Sequence, residues 1–136
     1  MASFPSAESC PCGVSLSYAN HCQKHHDIGY AGLAATAEET MRSRYSAYVV
    51  EGEAYLLATW HKSTRPVAVN FEGVEWHGLT VIETSGGAGL NNEGTVEFTA
   101  RFRRGDALLE LHERSSFVRE AGRWFYVDGD DPGSPS

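Results

Sequence analysis

The spacing of apolar residues along the chain changes once, near Pro66. Before this proline, apolar positions recur every three or four residues, as on one face of an amphipathic helix. After it, they alternate with polar positions, as on a half-buried β-strand. The pattern therefore predicts helices followed by consecutive antiparallel strands, which is typical of the α+β class.

Two helices are predicted before Pro66. The first begins at the capping box Thr36-Ala37-Glu38-Glu39, in which each outer side chain accepts a hydrogen bond from the other residue's backbone amide. It runs to about Val50, because Gly52 favours a stop. Its apolar face consists of Met41, Tyr45, Tyr48 and Val49, and Ser43 and Ser46 lie mainly off that face. A second, shorter helix is predicted from Glu53 to about His61.

Four long strands and one weaker strand are predicted after the helices. The long strands lie near residues 74–84, 93–104, 107–119 and 122–128, and the weaker one lies near residues 67–72. The dipeptides Gly105-Asp106 and Ala121-Gly122 have the length and composition of hairpin turns. In the third long strand Glu113 belongs to the more apolar face and His112 to the opposite one. We therefore expect Glu113 to point inward and His112 to face water.

Composition limits the kinds of protein that this chain can be. It has 136 residues, 41% of them hydrophobic, which suits one domain with a real core. The formal net charge of −7 argues against nucleic-acid binding through a basic face. No apolar run approaches the roughly 20 residues of a membrane span, and no secretory signal is visible. Because clustered thiols also suit a reducing compartment, we expect a cytoplasmic protein.

All three cysteines lie in one short segment near the beginning of the chain. One residue separates Cys10 from Cys12, and His21-Cys22 follows after eight more. Thiolate sulfur and imidazole nitrogen suit the tetrahedral shell of zinc, and Gly13 allows a tight turn after the first pair. Four protein ligands would close that shell, so we expect a structural zinc site. Iron is an open alternative, since thiolate-rich sites accept both metals.

Two further interpretations of this segment stay open. His25 or His26 could replace His21 as the fourth ligand, although solvated loop histidines are the simpler interpretation. Cys10 and Cys12 could form a redox pair, but a disulfide across so short a step would be strained.

The spacing of Cys10, Cys12, His21 and Cys22 resembles the SEC-C zinc-binding motif, which occurs at the C-terminus of the translocase motor SecA and in many small bacterial proteins. Pro11, Gly13 and Tyr18 are similar to that motif as well. The usual glycine- and lysine-rich loop is replaced here by residues 13–17, and His21 stands where a cysteine is more usual. The resemblance implies a protein partner in secretion or protein quality control.

Longer stretches resemble the YchJ family of bacterial proteins. They are residues 36–48, 55–61, 94–98, 111–117 and 122–129. The resemblance implies a fold similar to nuclear transport factor 2 (NTF2), in which a curved sheet and helices form a cone with a pocket, preceded by a zinc knuckle. The resemblance to this family implies no specific activity. The implied organisation is a flexible start (1–9), the knuckle (10–27), the NTF2-like domain (28–129) and a disordered tail (130–136).

The pocket of such a cone is the default place for a ligand. Candidate lining residues are polar or aromatic side chains on otherwise apolar elements: Arg42, Arg44, Tyr45, Trp60, His61, Trp76, Glu97 and Glu113. A glutamate among them, paired with Arg42 or Arg44, could be a structural ion pair. A His61–carboxylate pair could instead act as general acid and base.

Three functional hypotheses follow. The preferred one is a zinc-containing binding module that contacts a protein partner through the knuckle and holds a small ligand in the cone. The alternative is a small-molecule enzyme of the isomerase, dehydratase or hydrolase type. The third is a structural homodimer formed by the sheet face. Since the closed metal shell offers no open position for chemistry, the first hypothesis fits the sequence best.

Overall fold

The structure, a computed structural model, describes residues 9–13, 16–23, 26 and 36–130. Within these residues, two helices precede four strands: α1 (Ala37–Val50), α2 (Glu53–Ala58), β1 (Glu75–Gly86), β2 (Glu93–Arg104), β3 (Ala107–Glu120) and β4 (Arg123–Asp130), with a short 3-10 turn at Tyr18–Asn20 before them. The predicted α+β class is confirmed. Most of the predicted flexible start, His25, the whole segment 27–35 and the tail after Asp130 lie outside the described residues.

Helix α1 begins where the capping box predicts. The Glu39 amide donates to the Thr36 hydroxyl at 3.1 Å. The helix ends at Val50, where Glu51 adopts a left-handed φ of 58° and the Gly52 amide returns to the Ala47 carbonyl. A residue in this conformation is a common way to end a helix, because it directs the next amide to an unpaired carbonyl.

Helix α2 is shorter than predicted, ending at Ala58 rather than near His61. Beyond it, Trp60 forms a parallel bridge with Tyr126 of β4. The His61 amide donates to the Tyr126 carbonyl at 2.7 Å, and the Tyr126 amide donates to the Thr59 carbonyl at 2.8 Å. Pairing with the sheet thus replaces the last predicted turn of the helix.

Helix α1 is buried on more sides than its apolar stripe predicts. Met41 and Tyr45 are buried as expected, but Ser43 and Ser46, assigned to the polar side, are fully buried too. The Cys/His segment covers Ser46, whose hydroxyl lies 3.6 Å from the Cys10 sulfur, and the Ser43 hydroxyl lies 2.7 Å from that of Tyr55 in α2. The helix is therefore a middle layer, with the sheet on one side and the cysteines on the other.

The sheet is a meander in the order β1-β2-β3-β4, with every pair antiparallel. Gly105 has a positive φ in the β2–β3 turn, and Ala121 and Gly122 both do in the β3–β4 turn, as tight hairpins require. Register shifts interrupt β1 after Trp76 and after Val81, and β3 pairing with β4 after Ser116. Such bulges bend and twist a strand.

The weak strand predicted near residues 67–72 does not form in this described part of the chain. Val67 is almost fully exposed. The Val69 amide instead donates to the Glu53 carboxylate at 2.8 Å, and Phe71 packs edge-on against Tyr48. Side-chain contacts with the two helices thus fix this segment in place of strand pairing.

The core lies between α1 and the inner face of the sheet. Its buried members from the strands alternate along the sequence, as the period of two predicts: Leu79, Val96, Phe98, Ala100, Phe117 and Trp124. Met41 and Tyr45 of α1 belong to the same cluster, which continues to the three cysteines beside the helix. No helix in the described residues is long and apolar enough to cross a membrane.

Candidate metal centre and cavity

Cys10, Cys12, His21 and Cys22 form one compact group. Their candidate ligand atoms all lie within 4.8 Å of one another. The Nδ1 atom of His21 lies 3.6 Å from the Cys10 sulfur, 3.4 Å from the Cys12 sulfur and 3.3 Å from the Cys22 sulfur. All three cysteines are buried and none forms a disulfide. The structure thus brings together the four residues that the spacing singled out.

The arrangement fits a tetrahedral zinc ion. With zinc bonds of about 2.3 Å to sulfur and 2.0–2.1 Å to nitrogen, tetrahedral angles put sulfur and nitrogen about 3.6 Å apart. The three measured Sγ–Nδ1 distances, 3.3–3.6 Å, lie close to that value. Three thiols and one imidazole are also a known donor set of structural zinc sites. The residues present therefore match both the geometry and the chemistry of such a centre.

Two tight turns bring the four ligands together. The Gly13 amide donates to the Cys10 carbonyl at 3.1 Å, and Gly13 has a φ of 96°, which disfavours residues with a side chain. The chain then returns, since the Cys10 amide donates to the Leu16 carbonyl at 2.9 Å. Ser17 caps the 3-10 turn, at whose end His21 and Cys22 face the first two cysteines.

Helix α1 supplies the groups that surround this centre. Arg42 donates from Nη1 to the Cys12 carbonyl at 2.8 Å, and the Cys22 sulfur lies 3.7 Å from the Arg42 carbonyl. A Glu39 carboxylate oxygen lies 3.9 Å from Nε2 of His21, the ring nitrogen away from the sulfurs. Outer-shell groups of this kind orient metal ligands and fix the histidine tautomer.

The three thiols influence one another's ionisation. Hydrogen bonds from Cys12 and Cys22 lower the pKa of Cys10. Hydrogen bonds with Cys10 and Cys12, together with burial, raise the pKa of Cys22. The cluster therefore accepts one negative charge readily and resists the next. A bound dication removes that resistance, because it binds the thiolate forms.

His26 is neither a fourth ligand in this structure nor a solvated loop histidine. Its Nε2 lies 2.8 Å from the Ser43 carbonyl, which only accepts hydrogen bonds, so Nε2 carries the proton. Its Nδ1 lies 2.7 Å from the Tyr18 hydroxyl and therefore accepts from it. The ring also contacts Tyr55 at 4.8 Å between centroids. His26 thus packs the knuckle onto α1, which corrects the prediction. His25 lies outside the described residues.

A cavity of about 210 Å³ lies on the opposite side of α1, between this helix and the sheet. Its lining is mainly aromatic and aliphatic, with one cationic and one anionic side chain: Met41, Arg44, Tyr45, Tyr48, Trp76, Phe98, Ala100, Leu111, Glu113, Ser115, Phe117 and Tyr126. Leu111 is 37% exposed and marks the open side.

Four of the predicted pocket residues line this cavity, namely Arg44, Tyr45, Trp76 and Glu113. The inward orientation predicted for Glu113 is confirmed, and its carboxylate accepts from the Ser115 hydroxyl at 2.6 Å. His112 points to the other face of β3, as predicted, where it lies 2.7 Å from Glu97.

The other four predicted pocket residues lie elsewhere. Arg42 points to the Cys/His side of α1, because the two arginines of this helix lie on opposite sides of it. Glu97 occupies the outer face of β2, where His112, and then Arg114, lower the pKa of its carboxyl through hydrogen bonds. The Trp60 ring lies 4.8 Å from the Arg44 guanidinium carbon and does not line the cavity.

His61 does have a carboxylate neighbour, but outside the cavity. Its Nε2 lies 2.9 Å from Glu120 at the end of β3, and its Nδ1 lies 2.7 Å from the Ser63 hydroxyl. Because α2 ends early, His61 follows the edge of β4 instead of continuing the helix toward the cavity. The expected acid–base pair is therefore formed away from the cavity lining.

The sequence interpretation missed Tyr126 and Ser115 as lining residues, and Ser46 as a neighbour of the metal centre. Ser115 is two positions from Glu113 on one strand, so the period of two was a usable signal. Tyr126 reaches the cavity from β4, and Ser46 reaches Cys10 from α1. These are contacts between distant parts of the chain that no local pattern encodes.

Comparison with known proteins gives consistent similarities. A family model described as the YchJ middle NTF2-like domain matches residues 36–129. A UPF0225 protein of Streptomyces coelicolor is 45% identical over 122 residues, covering 89% of this chain and 94% of the relative. A UPF0225 protein of Polaromonas is 47% identical over 129 residues, covering 89% and 91%.

Two solved structures are similar over nearly the whole fold. The solution structure of a SEC-C motif containing protein from Rhodopseudomonas palustris has a TM-score of 0.76 and 31% identity, covering 90% of this chain and 97% of that one. The crystal structure of a SEC-C motif containing protein from Psychrobacter arcticus has a TM-score of 0.74 and 29% identity, covering 96% and 86%.

Proposed function

The chain belongs to the YchJ middle NTF2-like domain family and to the UPF0225 proteins, and from this premise we propose that it is a zinc-containing module that binds a protein partner through its knuckle. The observation that carries the proposal is the closed group of Cys10, Cys12, His21 and Cys22. Four protein ligands satisfy zinc completely, so the ion stabilises the fold and does not activate a substrate.

Three features favour zinc as the ion. Its preferred ligands are those present, and the measured separations match its bond lengths. The relatives of known structure are SEC-C motif containing proteins. In addition, the site is joined to α1 through Arg42 and Ser46, so a bound ion would hold the knuckle rigidly on the helix. In this proposal the thiols stay reduced in the cytoplasm.

The knuckle is the proposed contact surface because zinc fixes its backbone and part of it faces solvent. Leu16, at the return of the chain between the two ligand pairs, is 49% exposed. The NTF2-like part would then be a cone of helices and curved sheet behind this surface. A rigid surface loses little conformational entropy on binding, which favours its use as a docking element.

Metal analysis tests the first half of the proposal. Protein purified without chelator should contain one zinc per chain by elemental analysis, and Cys12→Ser and Cys22→Ser should lose most of it. His21→Gln should weaken zinc retention, whereas the matched control His77→Gln, which changes a half-exposed histidine on β1, should not. Full metal content in both cysteine variants would refute this ligand set, and iron in place of zinc would refute the metal.

Affinity capture tests the second half. Intact protein and chelator-stripped protein, immobilised side by side, are exposed to the same lysate. A protein retained only by the metal-loaded form, and lost with Leu16→Asp, supports docking through the knuckle. Equal retention by both forms contradicts it.

A further inference from the structure

Arg44 is held in an unusual position for a cation. It is only 4% exposed, and its Nη1 donates to the Leu56 carbonyl and the Thr59 hydroxyl, each at 2.7 Å. Its guanidinium carbon lies over the rings of Trp60 and Tyr126, 4.8 and 4.6 Å from their centroids, and these two rings contact each other edge-on. The side chain is therefore fixed in one orientation at the cavity wall.

The guanidinium retains charge and donors for a ligand. Burial lowers the pKa of Arg44 to about 10, so it is still protonated at neutral pH. Its hydrogen bonds to Leu56 and Thr59 both use Nη1. A guanidinium has five N–H donors, so these contacts leave some of them for an acceptor inside the cavity. A carboxylate is the acceptor that best matches the planar fork of arginine.

Glu113 supplies the negatively charged side chain of the same cavity. Its carboxylate accepts one hydrogen bond from Ser115, and a carboxylate has about four acceptor positions. Gly129 of β4 lies directly beneath it, so close that a Cβ atom there would overlap the carboxylate. Glu113 is therefore positioned by packing as Arg44 is, and it has acceptor capacity left for a hydroxyl or amine.

The other residues that line the cavity indicate the shape and polarity of a ligand. Tyr45, Trp76 and Phe98 line the cavity, and Tyr45 packs edge-on against Trp76 with ring centroids 5.9 Å apart. Aromatic walls favour a flat apolar body. A volume of about 210 Å³ is smaller than the roughly 300–1,000 Å³ of pockets for drug-sized ligands, which suits a single substituted ring.

We propose that the cavity binds a small aromatic monocarboxylic acid bearing a hydroxyl group, with the carboxylate on Arg44, the ring among the aromatic walls and the hydroxyl on Glu113. The proposal depends on the cavity alone and is independent of the metal and of any protein partner. It goes beyond the proposed function because it assigns a separate binding site to the other side of α1.

The test is titration of the whole, zinc-loaded protein with small acids. Calorimetry measures the binding, and amide NMR shifts locate it. The probes are 3- and 4-hydroxybenzoate, benzoate and the neutral amides of the two hydroxy acids. At least one hydroxybenzoate should bind saturably, with shifts at Tyr45 and Ser115. Its amide should bind at least tenfold more weakly, since a charge-assisted pair is lost.

Single substitutions test the contributions of Arg44 and Glu113 to binding separately. Arg44→Lys keeps the charge but loses the planar fork, and should weaken the hydroxybenzoate at least tenfold. Glu113→Gln should reduce the preference for hydroxybenzoate over benzoate. The matched controls on the outer face of the sheet, Arg114→Lys and Glu97→Gln, should bind like the wild type.

Three outcomes would overturn the inference. They are no saturable binding of any acid by the wild-type protein, equal binding of acid and amide, and shifts confined to the outer face of the sheet. The comparison of acid with amide uses only the wild type, so it decides the matter even if Arg44→Lys does not fold. Zinc content measured on the same samples shows separately whether the metal site is intact.

Discussion

The guanidinium Nη1 of Arg42 lies 2.8 Å from the carbonyl oxygen of Cys12, which joins the middle of α1 to the first turn of the knuckle. The same guanidinium is fixed from the other side, since its Nε donates to Glu38 at 2.9 Å. The knuckle is therefore attached to the helix by a charge-assisted hydrogen bond as well as by its buried cysteines. Arg44, two residues later, serves the cavity on the opposite side.

Arg42→Gln should lower the free energy of unfolding by about 1–3 kcal/mol, the usual cost of losing a hydrogen bond to a charged group. Zinc content should stay close to one per chain, because the four ligands are untouched. Chemical denaturation of the zinc-loaded protein measures the change. Arg103→Gln is the control, because it removes only an exposed ion pair with Glu75, for which less than about 1 kcal/mol is expected. Equal effects of the two substitutions would contradict a special role for Arg42.

Removal of metal by a chelator should loosen the knuckle before it loosens the sheet. Hydrogen exchange should speed up first at the amides of Cys10, Gly13 and His21, whose hydrogen bonds close the two turns. The amides between β2 and β3 should remain protected longest, since these strands pair along their whole lengths. Uniform loss of protection across both regions would mean that the knuckle and the sheet unfold as one unit.

Stability should fall as the pH rises from about 10 to 12. Burial raises the pKa of Tyr45 and of Tyr55 to about 12, above the ordinary value of 10. A group whose pKa is raised by folding stabilises the protein fully below its unfolded pKa and loses that contribution as the pH passes its folded pKa. Raising the pKa of a tyrosine from 10 to about 12 on folding corresponds to about 3 kcal/mol of stability for each of the two residues. The lowered pKa of Arg44 has the opposite effect, because it makes stability rise with pH in this range, but it involves one proton only.

Tyr55→Phe should make that pH dependence shallower by about one proton. At neutral pH it should cost about 1 kcal/mol, because the hydrogen bond of the Tyr55 hydroxyl with the Ser43 hydroxyl is lost. Denaturation at several pH values gives the slope, and phenolate absorbance reports ionisation directly. Complete ionisation of all tyrosines near pH 10 in folded protein would disprove the shift.

Gly129→Ala should lower the free energy of unfolding by about 1–3 kcal/mol, as overpacking usually does, because the new methyl group overlaps the Glu113 carboxylate. The double variant with Glu113→Ala should recover part of the loss, since it removes the overlapping atoms. Gly52→Ala is the control, because a Cβ there meets its nearest atom at an ordinary 3.6 Å. A neutral Gly129→Ala would show that Glu113 moves aside freely.

Local sequence signals predicted the elements well wherever the deciding forces were local. The Thr36 side-chain cap of α1 and the turns at Gly105 and Ala121 depend on neighbouring residues, and each is confirmed. The end of α2 was wrong because Trp60 and His61 gain sheet hydrogen bonds from Tyr126, which is distant in sequence. The strand near residue 69 was wrong for a similar reason.

The candidate sites show the same division. Spacing alone selected Cys10, Cys12, His21 and Cys22, because short turns bring near neighbours together. The alternation of apolar and polar positions along β3 correctly predicted that Glu113 points inward. Arg42 was misplaced because helix α1 has a buried layer on both sides and its apolar stripe marks only one of them. Glu97 was misplaced against the alternation of its own strand, in which the neighbouring Val96 and Phe98 are the buried residues.

The strand order also determines how the chain can reach this structure. Each strand pairs with the next in sequence, and the connections between β2, β3 and β4 are two residues long. The sheet can therefore form hairpin by hairpin with small loop-closure entropy, which is the topology of fast-folding β structure. The connection of the knuckle to Arg42 and Ser46 spans more than 20 residues, so its contacts are the slower ones to close. An ion bound by the four ligands would then secure the part of the molecule whose own chain connectivity does least to hold it.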